Sequence, residues 1–244
     1  MQDPRSHYDR GMNTIPYQTA LIVGAGPGIS ASVARRLAAA GVKVTLAARN
    51  TAKLATLATE LGAATVAVDA SSPASVQQMF EAAARQFGDP DIVLYNASGR
   101  VRGSLLDLDP TEVQHAIAVS AFGGFLVVQQ AARRMVPRGS GAILLTGASA
   151  SVKGFALSAP FAMGKFALRG LAQSAARELG PKGIHVAHFV IDGAVRSATR
   201  PEPVDRPGSM LDPDAVAQSY LDVLRQPRSA WSLEVELRPW VEHF

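Results

Sequence analysis

The chain has 244 residues, of which 48 % are hydrophobic and none is cysteine, and its 24 basic and 20 acidic side chains leave a formal charge of +4. That length and apolar content suffice for one large α/β domain or two small ones. Without cysteine there are no disulfides, thiolate nucleophiles or cysteine metal sites, and interspersed charges give no basic stripe for nucleic acid.

Residues 1–18 are polar and aperiodic, with Pro4, Gly11 and Pro16, and are expected to form a flexible tail in which Met12 is the natural start. Residues 19–244 show no linker and are expected to fold as a single domain. The apolar run Ala20–Val23 predicts a buried strand, and Gly24, Gly26 and Gly28 a tight turn. Ile29, Val33 and Leu37 have helical spacing, with Gly41 where a C-cap belongs. A strand over 42–47, a helix over 51–61 and a strand over 64–68 follow, the last ending at Asp69 and Ala70. Ser72 and Pro73 read as N-cap and first helical residue of a helix running to Phe87. Strand 92–95 then leads into Asn96-Ala97-Ser98-Gly99.

Asp109, with Glu112 three residues on, has the signature of a capping box for a long helix to about Met135, which Pro137 stops. A strand over 142–146, a helix over 160–179 closed by Gly180-Pro181, and a strand over 184–190 complete the regular alternation. Residues 196–209 carry no periodicity and read as a loop over a site, before another Asp-Pro helix start at Asp212-Pro213. Leu233–Leu237 alternates apolar and acidic residues, a last strand with one wet face. No apolar run reaches membrane-spanning length and no signal-peptide core opens the chain, so a cytoplasmic protein with neither membrane nor nucleic-acid partners is expected.

Serial βα units with right-handed crossovers predict an α/β Rossmann-type fold, a doubly wound, seven-stranded, mostly parallel sheet with helices on both faces. Ligands of such sheets sit at the carboxyl ends of the strands, where the glycine turn, Asn96 and the loop after Val190 converge. Glycines let a backbone approach a pyrophosphate, and the free amides of a helix N-terminus receive its charge. An acidic residue at the end of the second strand would hold a ribose 2′-hydroxyl, but Ala47-Ala48-Arg49 stands there. Arg49 is placed to bind a 2′-phosphate, so NADP(H) is expected over NAD(H).

Gly24-x-x-x-Gly28-Ile29, Asp69, Asn96-Ala97 and Lys165 together resemble the short-chain dehydrogenase/reductase family over nearly the whole chain. The resemblance implies hydride transfer between a nicotinamide dinucleotide and a carbonyl, alcohol or activated double bond. It implies cofactor contacts from Gly24, Gly26, Pro27, Gly28, Ile29, Arg49, Asp69, Ala70, Asn96, Ala97, Ser98, Lys165, Gly193 and Val195, the last through its backbone. Departures are Val23 for the family's threonine, Ser30 for its third glycine and Tyr95 and Ser98 within its Asn-Asn-Ala-Gly. The loop after the sixth strand, Asp192-Gly193-Ala194-Val195-Arg196-Ser197, also comes one residue late.

The catalytic positions depart further. The family's Asn, Ser, Tyr and Lys correspond to Ser120, Ala148, Phe161 and Lys165, so only the lysine is kept. Phe161 has the ring without the acid, a loss worth roughly 3–5 kcal/mol of transition-state stabilisation in an unchanged site. Ser149, beside the lost serine, is the substitute hydroxyl for orienting a substrate. Ser151 is expected to satisfy backbone groups, Ser158 lies in the same loop, and Asp192 is open between proton carrier and turn residue. Tyr95 and Tyr220 fall on a strand and a distal helix. His185 and His188, three apart on one strand, face opposite sides and are expected to pack, so no metal site is predicted. Arg196, Arg200 and Arg206 stand in the 196–209 loop.

Two functions fit: an NADP(H)-dependent reductase of a carbonyl or activated double bond, with a non-standard proton donor and a small hydrophobic substrate, or a non-catalytic NADP(H)-binding sensor or scaffold. The resemblance also implies a homodimer or homotetramer through helices 111–135 and 160–179, where Phe122, Phe125, Val128, Met163, Phe166 and Leu171 are apolar. The segment Trp231–Trp240 is expected to cover another edge.

Overall fold

The computed structural model describes residues 14–197 and 200–242. Seven strands, β1 Thr19–Val23, β2 Lys43–Ala48, β3 Ala64–Ala67, β4 Ile92–Tyr95, β5 Gly141–Thr146, β6 Ile184–Ile191 and β7 Glu234–Leu237, form one sheet in the order β3-β2-β1-β4-β5-β6-β7. Every neighbouring pair is parallel. Strands β1, β4, β5 and β6 are buried throughout, as their unbroken apolar runs require of parallel strands covered on both faces. The edge strands β3 and β7 alternate between half-buried and exposed residues.

The helices are α1 Ile29–Ala39, α2 Ala55–Leu61, α3 Pro73–Phe87, α4 Pro110–Ile117, α5 Gly123–Met135, α6 Ala159–Leu179 and α7 Pro213–Leu224. Residues of α1, α2 and α7 bury Leu37, Leu57 and Tyr220 on one face of the sheet, and Phe189 of β6 stacks on the Tyr220 ring at 3.6 Å between centroids. Residues of α3, α5 and α6 bury Phe80, Met135 and Leu168 on the other. Within the expected tail, residues 1–13 lie outside the described residues, while Ile15 and Tyr17 pack against the first of these layers.

Local chemistry sets the helix starts. The Ser72 hydroxyl accepts from the Ser75 amide with Pro73 in the first turn, and Asp109 and Asp212 accept from the amides two residues on. The bond to Thr111 is the side-chain cap of α4, and Glu112 supplies no reciprocal one. The helix expected over 51–61 opens instead as a 3₁₀ turn, Thr51–Leu54, because the Asn50 side chain accepts from Ala52 and tightens the first turn.

The long helix expected to Met135 contains a π turn, Ala118–Phe122, that joins α4 to α5. There the buried Tyr95 hydroxyl donates to the Val119 carbonyl. Gly123 fits tightly against the end of β3, since a Cβ on it would lie 2.6 Å from both the Ala70 carbonyl oxygen and the Tyr95 hydroxyl. The expectation that no apolar run is long enough to cross a membrane is corrected here: the helical stretch Pro110–Arg138 meets that length and hydropathy, with 44 % of its most apolar window buried inside the protein. Leu126, Val127, Ala131 and Met135 of this stretch join the core layer of α3, α6 and β4, while Phe122 and Phe125 point outward.

Described residues of the 196–209 loop are tied to the segment 210–212. Arg196 pairs with Asp212, Val195 bridges Leu211, and Glu202 Oε1 accepts from the Met210 amide at 3.0 Å. The Glu202 carboxyl is held below its usual range first by the amides of Met210 and Gly208.

Candidate functional site

A cleft of about 790 Å³ opens at the carboxyl ends of β1, β2, β3 and β4. Its wall includes Gly24, Gly26, Pro27, Arg49, Asp69, Ala70, Asn96, Ala97 and Ser98. Gly24 has φ +81°, and a Cβ there would meet the Ala97 amide nitrogen at 2.3 Å, so β1 and β4 meet closely only because this residue is glycine. Gly28 has φ +94° and caps α1 without any side-chain hydrogen bond, and a Cβ placed on it or on Gly26 would touch nothing within 4 Å. The start of α1 thus has no side-chain cap for its first amides, which leaves them available to an anion.

The departure in the glycine turn, Ser30, meets the kept Asn96 of the next turn. Asn96 Nδ2 donates to Ser30 Oγ at 2.8 Å, and Ser30 Oγ donates to the Gly24 carbonyl at 3.2 Å. A serine at this place thus clamps the turn that a glycine would merely permit. Asp69 Oδ1 accepts from the Ser71 hydroxyl and amide at 2.6 and 2.9 Å, and these bonds hold its carboxyl below the ordinary range. At the end of β2 the wall carries Arg49, Asn50 and Lys53. Gly193 and Val195 are not brought to this wall. A Cβ on Gly193 would lie 2.7 Å from Pro239 Cδ, and Val195 packs half-buried on the core.

Three of the catalytic positions, Ser120, Phe161 and Lys165, lie together at the start of α6. Ser120 is fully buried, accepts from the Gly99 amide at 2.9 Å and donates to the Gly99 carbonyl at 3.3 Å. Gly164 permits this approach, since a Cβ on it would meet Ser120 Cβ at 2.6 Å. Lys165 is buried, donates to the Thr146 carbonyl at 2.7 Å, and is lowered by burial to about 8. Two cations lie near the Phe161 ring, with Arg100 Cζ 4.9 Å and Lys165 Nζ 5.8 Å from its centroid. The Ser149 side chain is half-buried and its hydroxyl makes no hydrogen bond with a described residue.

The remaining candidates are held elsewhere. Ser151 Oγ accepts from the Ala148 amide at 3.1 Å and lies 3.4 Å from His188 Nε2, while His188 Nδ1 is 3.1 Å from Glu234. His185, on the opposite face of β6, stacks on Trp231 at 4.7 Å. Burial lowers both imidazoles. Asp192 is buried with Lys153 Nζ 3.8 Å away. Tyr95 and Tyr220 are fully buried, burial pushes both phenols up, and their hydroxyls are bonded to Val119 and Thr146. Neither presents a proton to the cleft.

Sequence reasoning missed Lys53 and Arg100. Lys53 lies in the 3₁₀ turn Thr51–Leu54 that follows Arg49, and only folding brings both cations to the cleft wall. Arg100 had no local signal, since the ring it covers is far away in sequence.

The parallel sheet, the uncapped glycine turn and the cleft at its carboxyl end define a dinucleotide-binding α/β protein of the doubly wound class. The chain belongs to the short-chain dehydrogenase family, whose model matches residues 18–204. An uncharacterised oxidoreductase of Staphylococcus aureus strain MW2 is 30 % identical over 237 residues, covering 93 % of this chain and 100 % of the relative. Among solved structures, a short-chain dehydrogenase from Rhodopseudomonas palustris shares 35 % identity at TM-score 0.78, covering 91 % of this chain and 99 % of the other. A metagenomic short-chain oxidoreductase in complex with NADP shares 26 % identity at TM-score 0.79, covering 92 % and 98 %.

Proposed function

We propose that the protein is an NADP(H)-dependent oxidoreductase acting on a carbonyl or activated double bond of a small, hydrophobic substrate without a tyrosine proton donor. The observation that carries the cofactor choice is the end of β2, where Arg49 and Lys53 line the cleft and no carboxylate occupies the place of a ribose-binding acid. The open, uncapped N-terminus of α1 suits the pyrophosphate, and the metagenomic relative in complex with NADP supports the same choice. In this reading Gly24, Gly26, Pro27, Gly28 and Ile29 hold the diphosphate, Asp69 and Ala70 flank the adenine, and Asn96, Ala97 and Ser98 line the nicotinamide side. When bound, the cofactor supplies or accepts a hydride. Lys165 holds ribose hydroxyls after leaving the Thr146 carbonyl, and Ser149 orients the substrate with its unengaged hydroxyl.

The same reading gives a homodimer or homotetramer and a cytoplasmic protein. The test is a nucleotide-fluorescence titration with NADPH and with NADH. NADPH is expected to bind more tightly, and Arg49→Ala with Lys53→Ala to lower its affinity roughly ten- to a hundredfold while leaving NADH nearly unchanged. Failure of both nucleotides to bind ends this reading.

A further inference from the structure

The ring of Phe161 is covered by a guanidinium with no other partner among the described residues. Arg100 is exposed, lines the cleft and makes no hydrogen bond or ion pair with any of them, and its guanidinium lies over the Phe161 ring. The backbone beneath it is clamped from two sides. Ser120 holds both the amide and the carbonyl of Gly99, and the Gly103 amide donates to the Leu157 carbonyl at 3.1 Å, tying the loop of Arg100 to the loop that leads into α6. Gly99 itself lies against α4, where a Cβ would meet Ala116 Cα at 2.5 Å. Lys165, the other cation near the ring, is buried and bonded to Thr146. A positive charge on a clamped backbone thus stands over the ring from which a phenol hydroxyl is missing.

We propose that Arg100, stacked on Phe161 and held by the Ser120–Gly99 clamp, is the oxyanion-binding group of this site, and that the substrate class is a conjugated enone or enal reduced through an enolate. The proposal rests on the reading of the cleft as a nicotinamide-dinucleotide site. A guanidinium keeps its protons throughout the physiological range and offers a planar fork of donors, so it stabilises a developing oxygen anion without acting as general acid. Reduction of an isolated ketone leaves a strongly basic alkoxide that calls for a proton in the same step. An enolate spreads its charge and awaits one from solvent. The substrate gains a hydride at its β-carbon, its C=C electron pair moves toward the carbonyl oxygen, and water returns one proton to the α-carbon. The hydride and its two electrons come from a reduced nicotinamide dinucleotide, which is oxidised. Arg100 holds the oxygen meanwhile, and the apolar Phe161 ring keeps water from one face of the guanidinium.

The test uses 4-nitrophenol, whose phenolate oxygen imitates the enolate and whose visible absorption reports its ionisation, titrated into the full-length protein with NADP⁺ present. The wild type is expected to bind the probe as the anion and to lower its apparent pKa. Arg100→Gln should weaken binding roughly tenfold or more and abolish the spectral shift, and Arg100→Lys should restore part of both. Probe affinity indifferent to Arg100, or a probe that stays neutral or unbound, overturns the inference alone when NADPH still binds the wild type. Failure of NADPH to bind overturns the cofactor reading and this inference with it.

Discussion

Lys165 shows how one residue sets function against stability. Its ammonium is buried at the end of β5 with one carbonyl partner, Thr146, and burial lowers it to about 8 from 10.5. A depression of that size disfavours the charged form at neutral pH by about 3 kcal/mol, partly offset by its hydrogen bond. Because the folded-state value is lowered, the stability linked to this group is present above the ordinary lysine range and is lost as pH falls through about 8. Lys165→Met is therefore expected to raise the unfolding free energy at pH 7 by about 2 kcal/mol in urea titrations. Wild-type stability should climb between about pH 8 and 10.5, and the variant should lack that climb. A destabilised variant with an unchanged pH profile would show that the ammonium is well satisfied where it lies.

Among the elements, the π turn Ala118–Phe122 links the cleft to the core. It brings Val119 to the Tyr95 hydroxyl and Gly123 to the Ala70 carbonyl, both at the carboxyl end of the sheet. Turns of this kind interrupt helices most often at functional sites. Gly123→Ala places a methyl 2.6 Å from two atoms, one of them backbone, and should cost about 1–3 kcal/mol in denaturant unfolding. Tyr95→Phe removes the other atom, so the double variant should lose less stability than the sum of the two single ones. Strict additivity would mean that the tyrosine hydroxyl does not constrain Gly123. Sequence patterns placed this helix and its Asp109 cap, but the π turn depends on contacts with β3 and β4 that no helical periodicity encodes.

Across the molecule as a whole, the outer sides of α5 and α6 and the turn before them expose Phe122, Phe125, Met163 and Phe166, each 42–54 % accessible, and the first two rings stack at 6.1 Å. A patch of this kind on two adjacent helices is what a twofold partner buries. If the proposed dimer or tetramer forms through this patch, Phe166→Glu is expected to shift sedimentation toward monomer, because the new carboxylate would lose its water in the interface. An unshifted assembly would place the interface elsewhere.

The order of residues alone dictated the sheet and the cleft's position. Inner parallel strands are covered on both faces and so must be continuous apolar runs, and helix starts need capping side chains such as Ser72, Asp109 and Asp212. Those are local or nearly local demands, and they are legible along the chain. What the altered positions do was settled only on folding. Ser30 became a clamp because Asn96, 66 residues away, reaches it, and Ser120 fastens Gly99 from 21 residues away. Phe161 acquired a cation from the loop after β4, and Val195 was drawn to the core by Leu211. Such pairings join residues distant in sequence, and the direction of a side chain across a sheet's end follows from the packing that surrounds it.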